Sequence, residues 1–221
     1  MKLTKDVKLI EYPRGVERAN VLTHAPGAVF GAAGLFALIK KAAASGSGRI
    51  IFSAAVYGAA FLLVYLCSAV YHALPQGEIK RRARLLDHLA IPLLLAGTTT
   101  PCALVSLWRV SVPHGAAVFA AAWAVAAFGV LGKLFFFEKL KAAVIAVYFA
   151  GGSVMLFSAL PHAASFDKTA FALLFAGSAV YCAAGLLCRA GIKKPVFHPV
   201  FHAVVLLGSL THFAVIYFFI L

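Results

Sequence analysis

The sequence has few charged residues, and very few of those are acidic. Asp, Glu, Lys and Arg make up 12% of the 221 residues, with 7 acidic residues against 20 basic ones. A soluble domain of this size normally has about 25% charged residues. Hydrophobic residues make up 63% of the chain, and the mean hydropathy is +0.95. This composition excludes an ordinary soluble domain and indicates an integral membrane protein.

Cysteine is also scarce, and no two cysteines form a CxxC pair. All four lie within or at the edges of apolar segments, at Cys67, Cys102, Cys182 and Cys188. We interpret them as small core residues, and not as a disulfide framework or a thiolate metal site. The sequence also lacks an internal repeat and any loop long enough for a second domain. The first twenty residues are too charged for a cleaved signal peptide, so we predict that the first hydrophobic segment is retained.

Long apolar runs are abundant. Seven of them are close to the roughly 20 residues that a helix needs to cross a bilayer. They cover approximately residues 21–39, 50–74, 85–107, 112–131, 142–160, 169–188 and 196–221. We therefore predict an all-α, polytopic membrane protein with a lead-in over residues 1–20 and a seven-transmembrane-helix bundle over residues 21–221. The linker between the fourth and fifth segments is ambiguous, since Lys133–Lys139 could form a short interfacial turn.

Lysine and arginine are concentrated on one side of these segments. Fifteen of the 20 lie in the lead-in and in the loops after the second, fourth and sixth segments. The positive-inside rule places those loops in the cytoplasm. The N-terminus is therefore predicted to be cytoplasmic and the C-terminus to be outside. The net charge of +13 follows from this topology and leaves no basic face for nucleic acid.

Five polar side chains from three segments are predicted to share one depth in the membrane. Ser68 and His72 lie in the last turns of the second segment, which ends at the cytoplasmic face. The third and seventh segments both start at that face, which places Asp87, His198 and His202 at a similar depth. His198 and His202, four residues apart, also lie on one face of their helix. Ionisable residues inside a membrane are costly and are functional candidates by default.

These residue types suit a metal site. Three neutral imidazoles on rigid helices can bind Zn2+ and leave a fourth position for water, so we predict His72, His198 and His202 as zinc ligands. Asp87 would act as a general base on that water, and Ser68 would orient a ligand or the water. The alternative is that the histidines only form hydrogen bonds between helices.

The remaining histidines are not assigned to this site. His212 lies about 15 Å beyond His202 along its helix, which is too far for a shared metal. The others are expected to open the first segment, to face a neighbouring helix, or to lie near the outer membrane interface. They are His24, His88, His114 and His162.

Four motifs are spread over nearly the whole chain. They are Glu17-x-x-Asn20-x-x-Thr23-His24, Ser68-Ala-Val-Tyr-His72, Leu86-Asp87-His88 with Ala96–Pro101, and His198-Pro-Val-Phe-His202 with Leu207–His212. In these residues and in their order the chain resembles the hemolysin III family. Its members are bacterial relatives of the progestin and adiponectin receptors, in a superfamily with the alkaline ceramidases.

The resemblance implies a seven-helix bundle with zinc at its cytoplasmic side. It implies the same three histidine ligands, with Asp87 on the zinc-bound water and Ser68 beside it. Pro199 is a departure, since many bacterial members have an acidic residue at that position.

The predicted function is zinc-dependent hydrolysis of an amide or ester bond in a membrane lipid, in the bacterial inner membrane. The alternative is a pore-forming, cytolytic or membrane-homeostasis protein with a structural zinc site, and a receptor-like role comes third. The sequence does not specify the lipid or the oligomeric state.

Overall fold

A computed structural model describes residue 4 and residues 6–139, 152–153 and 157–221. The described residues contain helices and no strand, and six of the helices are long and apolar enough to cross a membrane. These helices are α1 (Arg14–Ala43), α2 (Gly48–Ala73), α3 (Glu78–Pro101, continued to Val110), α4 (Val112–Phe136), α5 (Lys168–Gly191) and α6 (Phe197–Val215, continued to Ile220).

The all-α, multi-pass class is therefore confirmed. The six helices match six of the seven predicted segments. Most of the predicted fifth segment, residues 142–160, lies outside the described residues. In the ambiguous stretch, Lys133–Phe136 continue α4 and only Phe137–Lys139 form a turn. The orientation in the membrane and the division of the chain at residue 20 stay predictions.

Most of these helices pack against a neighbour in the chain, and the first helix also contacts the last. Helix α1 packs against α2 and α6, α2 against α3, α3 against α4, and α5 against α6. As a result, the starts of α1, α3 and α6 and the end of α2 meet at one end of the bundle. We call this the site end.

One face of α1 is buried along the whole helix, and the spacing of its residues explains its orientation. The buried positions are three or four residues apart, at Asn20, His24, Gly27, Gly31, Gly34, Leu38 and Ala42. A side chain at Gly31 would lie 3.0 Å from the backbone Cα of Leu62. Small residues at such positions allow two membrane helices to approach closely. The glycines therefore hold α1 against α2 and direct its polar first turns into the bundle.

Single residues explain where α5 begins and where α3 changes from an α-helix to a π-helix. The Asp167 carboxylate accepts a hydrogen bond from the Ala170 backbone N–H at 2.9 Å, which caps the start of α5. Pro101 has no backbone N–H, and after it α3 continues as a π-helix over Cys102–Leu107. All four cysteines are free.

Candidate metal centre

The three predicted ligand histidines lie together at the site end of the bundle. His72 is in the last turn of α2, and His198 and His202 are in the first two turns of α6. One ring nitrogen from each lies within 4.8 Å of those from the other two. His72 and His202 are only 3% and 2% exposed, and His198 is half-buried. We call these three residues the histidine cluster.

Two ring nitrogens of the cluster lie beside acceptors on α1. His72 Nδ1 is 2.6 Å from Glu17 Oε2, and His202 Nδ1 is 3.5 Å from the backbone oxygen of Asn20. His72 Nε2 is buried and has no hydrogen-bond partner within the described residues. Histidines that bind metals commonly donate their second N–H to a carboxylate or a backbone carbonyl. The cluster therefore fits a metal ion that takes histidine nitrogens, such as Zn2+.

Glu17 is held in place by a buried lysine. Lys80 Nζ lies 2.8 Å from Glu17 Oε1 and donates to the Leu74 backbone oxygen at 2.9 Å. Lys80 is 1% exposed, and its ammonium group lies 4.9 Å from the centre of the Tyr71 ring. The sequence analysis counted Lys80 among the loop cations, whereas the structure buries it in the first turn of α3. An ion pair thus joins α1 to α3 directly beside His72.

His24 lies against the cluster, although the sequence analysis left it out. Its ring stacks on His202 with centroids 3.8 Å apart and planes 14° apart. Both of its ring nitrogens are buried and lack a hydrogen-bond partner in the described part of the chain. The spacing of Glu17, Asn20 and His24 at i, i+3 and i+7 was the signal that could have indicated this contact, because such residues share one helix face.

Ser68 and Asp87, the predicted catalytic residues, are next to each other and to the cluster. The Ser68 side chain, one turn before His72 on α2, lies within reach of the Asp87 carboxylate on α3. The same carboxylate interacts electrostatically with His72 and Arg84. Ser68 is 2% exposed. The structure therefore brings together all five residues that the sequence analysis singled out.

Tyr12 covers the cluster from the N-terminal side. Its ring stacks on His198 with centroids 4.9 Å apart and planes 21° apart, and it lies 5.9 Å from the His72 ring. Tyr12 precedes α1 and is outside the membrane-spanning helices. Burial raises the pKa of the Tyr12 phenol well above its ordinary value, so the hydroxyl stays protonated at neutral pH and can donate a hydrogen bond.

The other polar residues of α6 serve packing deeper in the bundle. Ser209 Oγ lies 2.6 Å from the Tyr181 hydroxyl of α5, and His212 Nε2 lies 3.2 Å from the Leu174 backbone oxygen. This agrees with the prediction that His212 is too far along the helix to share a metal.

Two histidines pair at the opposite end of the bundle, and a third faces α4. His114 Nδ1 lies 2.9 Å from His162 Nε2. The His88 ring packs edge-on against Phe137, with centroids 4.8 Å apart. None of these three belongs to the histidine cluster.

The chain matches known proteins over nearly its full length. The model of the family described as "Haemolysin-III related" matches residues 14–213. The chain is 32% identical to Hemolysin-3 of Bacillus cereus over 205 residues, which cover 93% of this chain and 92% of that protein. It is also 32% identical to the Hemolysin-3 homolog of Bacillus subtilis (strain 168) over 203 residues, 92% of this chain and 93% of the relative. No solved structure matches the chain significantly.

Proposed function

This chain belongs to the haemolysin-III related family, and on that premise we propose that it is a zinc-dependent hydrolase acting on an amide or ester bond of a membrane lipid. The observation that supports this most directly is the histidine cluster, in which His72 Nε2 is buried and unpartnered within the described residues. The proposed location is the bacterial inner (plasma) membrane.

We assign two roles to the residues of the site, which are metal binding and proton transfer. His72, His198 and His202 would hold the zinc ion. When bound, zinc would supply Lewis-acid polarisation of a carbonyl group and activation of a water molecule. Asp87 would accept a proton as general base, and Ser68 beside it would orient a ligand or the water.

The position of the cluster in the helices supports a lipid substrate. His72 is the last residue but one of α2, and His198 is the second residue of α6. In a membrane-spanning bundle, the first and last turns lie near the boundary between the hydrocarbon core and the head groups. The amide and ester bonds that join acyl chains to head groups lie at that same boundary. The site would therefore lie at a depth where such a bond can reach it.

Metal analysis and hydrolysis assays on purified protein test the proposal. We expect stoichiometric zinc in the wild type and its loss in His72→Ala and His198→Ala, with His114→Ala as a histidine control at the opposite end. Asp87→Asn should keep zinc and lose hydrolysis of fluorescent ceramide or phospholipid by about 10²–10⁴-fold, the contribution typical of a general base. Undiminished hydrolysis by His202→Ala would reject the proposal.

A second candidate function is permeabilisation of membranes, with zinc in a structural role. It is favoured by the names of the two relatives, both of which are called hemolysin-3 proteins. Dye-filled liposomes separate the two candidates. Leakage that persists in Asp87→Asn, together with no hydrolysis by the wild type, would favour permeabilisation over the enzyme.

A further inference from the structure

We propose that Glu17 is a positioning residue for the metal site: it holds the proton of His72 on Nδ1 and thereby turns the Nε2 lone pair toward the metal. This inference rests on the proposed function, since it concerns the same site. It adds α1 to a set of predicted metal and catalytic residues that otherwise come from α2, α3 and α6.

The contacts around His72 Nδ1 determine which ring nitrogen of the neutral imidazole carries the hydrogen. Glu17 Oε2 lies 2.6 Å away and Asn20 Nδ2 lies 3.1 Å away. One ring nitrogen cannot donate to the first group and accept from the second at the same time. The carboxylate is nearer, and a hydrogen bond to an ionised acceptor is roughly twice as strong as a neutral one. Nδ1 therefore carries the proton, and Nε2 keeps its lone pair.

Lys80 explains why the Glu17 carboxylate stays in this position. Its ammonium group binds the other oxygen, Oε1, at 2.8 Å, so both oxygens are engaged. The Lys80 and Glu17 side chains are 2% and 17% exposed, which limits competition from water. The pair is neutral as a whole, so the carboxylate can remain ionised beside His72 without an unbalanced buried charge.

Helix α1 also provides an acceptor for a second ligand. The backbone oxygen of Asn20, three residues after Glu17, lies 3.5 Å from His202 Nδ1. Two histidines on two different helices therefore point their Nδ1 atoms at the same turn of α1. A simple ion pair between α1 and α3 would require no such arrangement around the imidazoles.

Zinc affinity measured by chelator competition at fixed pH tests this inference. Loss of an outer partner of this kind typically lowers metal affinity about 10–100-fold. We expect Glu17→Gln to lose about 10-fold, since the amide can still accept from Nδ1, and Glu17→Ala to lose up to about 100-fold. Lys80→Met should lower zinc affinity by less than Glu17→Ala does, because Lys80 holds the Glu17 carboxylate in place but does not itself contact His72. Glu11→Gln is the control, since Glu11 is exposed.

Each outcome supports or overturns the inference. If the wild type binds zinc and Glu17→Gln and Glu17→Ala bind it equally tightly, the inference is wrong while the proposed metal site stands. If the wild type binds no zinc, both fail. A larger loss in Lys80→Met than in Glu17→Ala would also overturn the inference, because the ion pair would then act by joining helices and not through His72. Should Glu17→Ala not fold, Glu17→Gln decides, because its side chain has nearly the same size.

Discussion

Replacing Tyr12 with alanine should accelerate the release of zinc from the histidine cluster. The Tyr12 ring stacks on His198, the one member of the cluster that is only half-buried. It also lies 5.9 Å from the His72 ring. Without Tyr12, the His198 imidazole would lose its outer contact and could leave the metal more readily.

The contact itself gives the expected size of the effect. A stacked pair of rings contributes about 0.5–1.5 kcal/mol beyond the area that it buries. Because about 1.4 kcal/mol corresponds to a factor of ten, the dissociation rate of zinc should rise roughly 2- to 12-fold. Tyr12→Phe keeps the ring and should release zinc at close to the wild-type rate.

Stopped-flow mixing of zinc-loaded protein with excess chromophoric chelator measures this rate. Tyr217→Ala serves as a control, since Tyr217 packs with Lys41 and Phe213 near the end of α6, away from the cluster. An unchanged rate in Tyr12→Ala would refute the covering role. An equal rise in Tyr217→Ala would show that the effect is a general loosening of the bundle.

Two further predictions concern helix packing away from the site. In Gly115→Ala, the new Cβ would lie 2.7 Å from the Ala103 backbone oxygen, so the free energy of unfolding should fall by about 1–3 kcal/mol. In the control Gly48→Ala, the new Cβ would have nothing within 4 Å, and the free energy of unfolding should not fall. Denaturation in detergent measures both variants. Ser209→Ala removes the partner of the Tyr181 hydroxyl, so the free energy of unfolding should fall by about 1–3 kcal/mol while zinc affinity stays unchanged. A parallel loss of zinc affinity would contradict the separation of Ser209 from the site.

The histidine cluster could be predicted because the distribution of basic residues along the chain determines the membrane depth of each of its members. Basic residues at the ends of apolar runs indicate which helix ends share one side of the membrane. Once α2 ends and α6 begins on the same side, His72 and His198 must lie at a similar depth. The same signal places Asp87 there, at the start of α3. No detail of side-chain packing is needed for these conclusions.

Glu17 and Lys80 could not be predicted in the same way. Hydropathy detects the part of a helix that crosses the membrane, so the predicted first segment began at residue 21, whereas α1 begins at Arg14. Glu17 therefore counted as part of the lead-in. Lysines near helix ends usually extend toward water, and Lys80 is buried only because Glu17 and the Leu74 carbonyl lie within its reach. That depends on how α1 packs, which the pattern of charges does not specify.

Pro199 stands between two proposed ligands, and its place in the helix explains why it does not separate them. Helix α6 begins at Phe197, so Pro199 is in the first turn, where backbone N–H groups have no acceptor within the helix. Proline there loses no hydrogen bond, and its fixed φ is compatible with a helix. His198 and His202 thus remain one above the other.

Pro199 itself supplies no acid or base, so proton transfer at the cluster would depend on carboxylates from other helices. Among the described residues, the Glu17 carboxylate beside the cluster already has both oxygens engaged. This step would therefore fall to Asp87, the base that we propose.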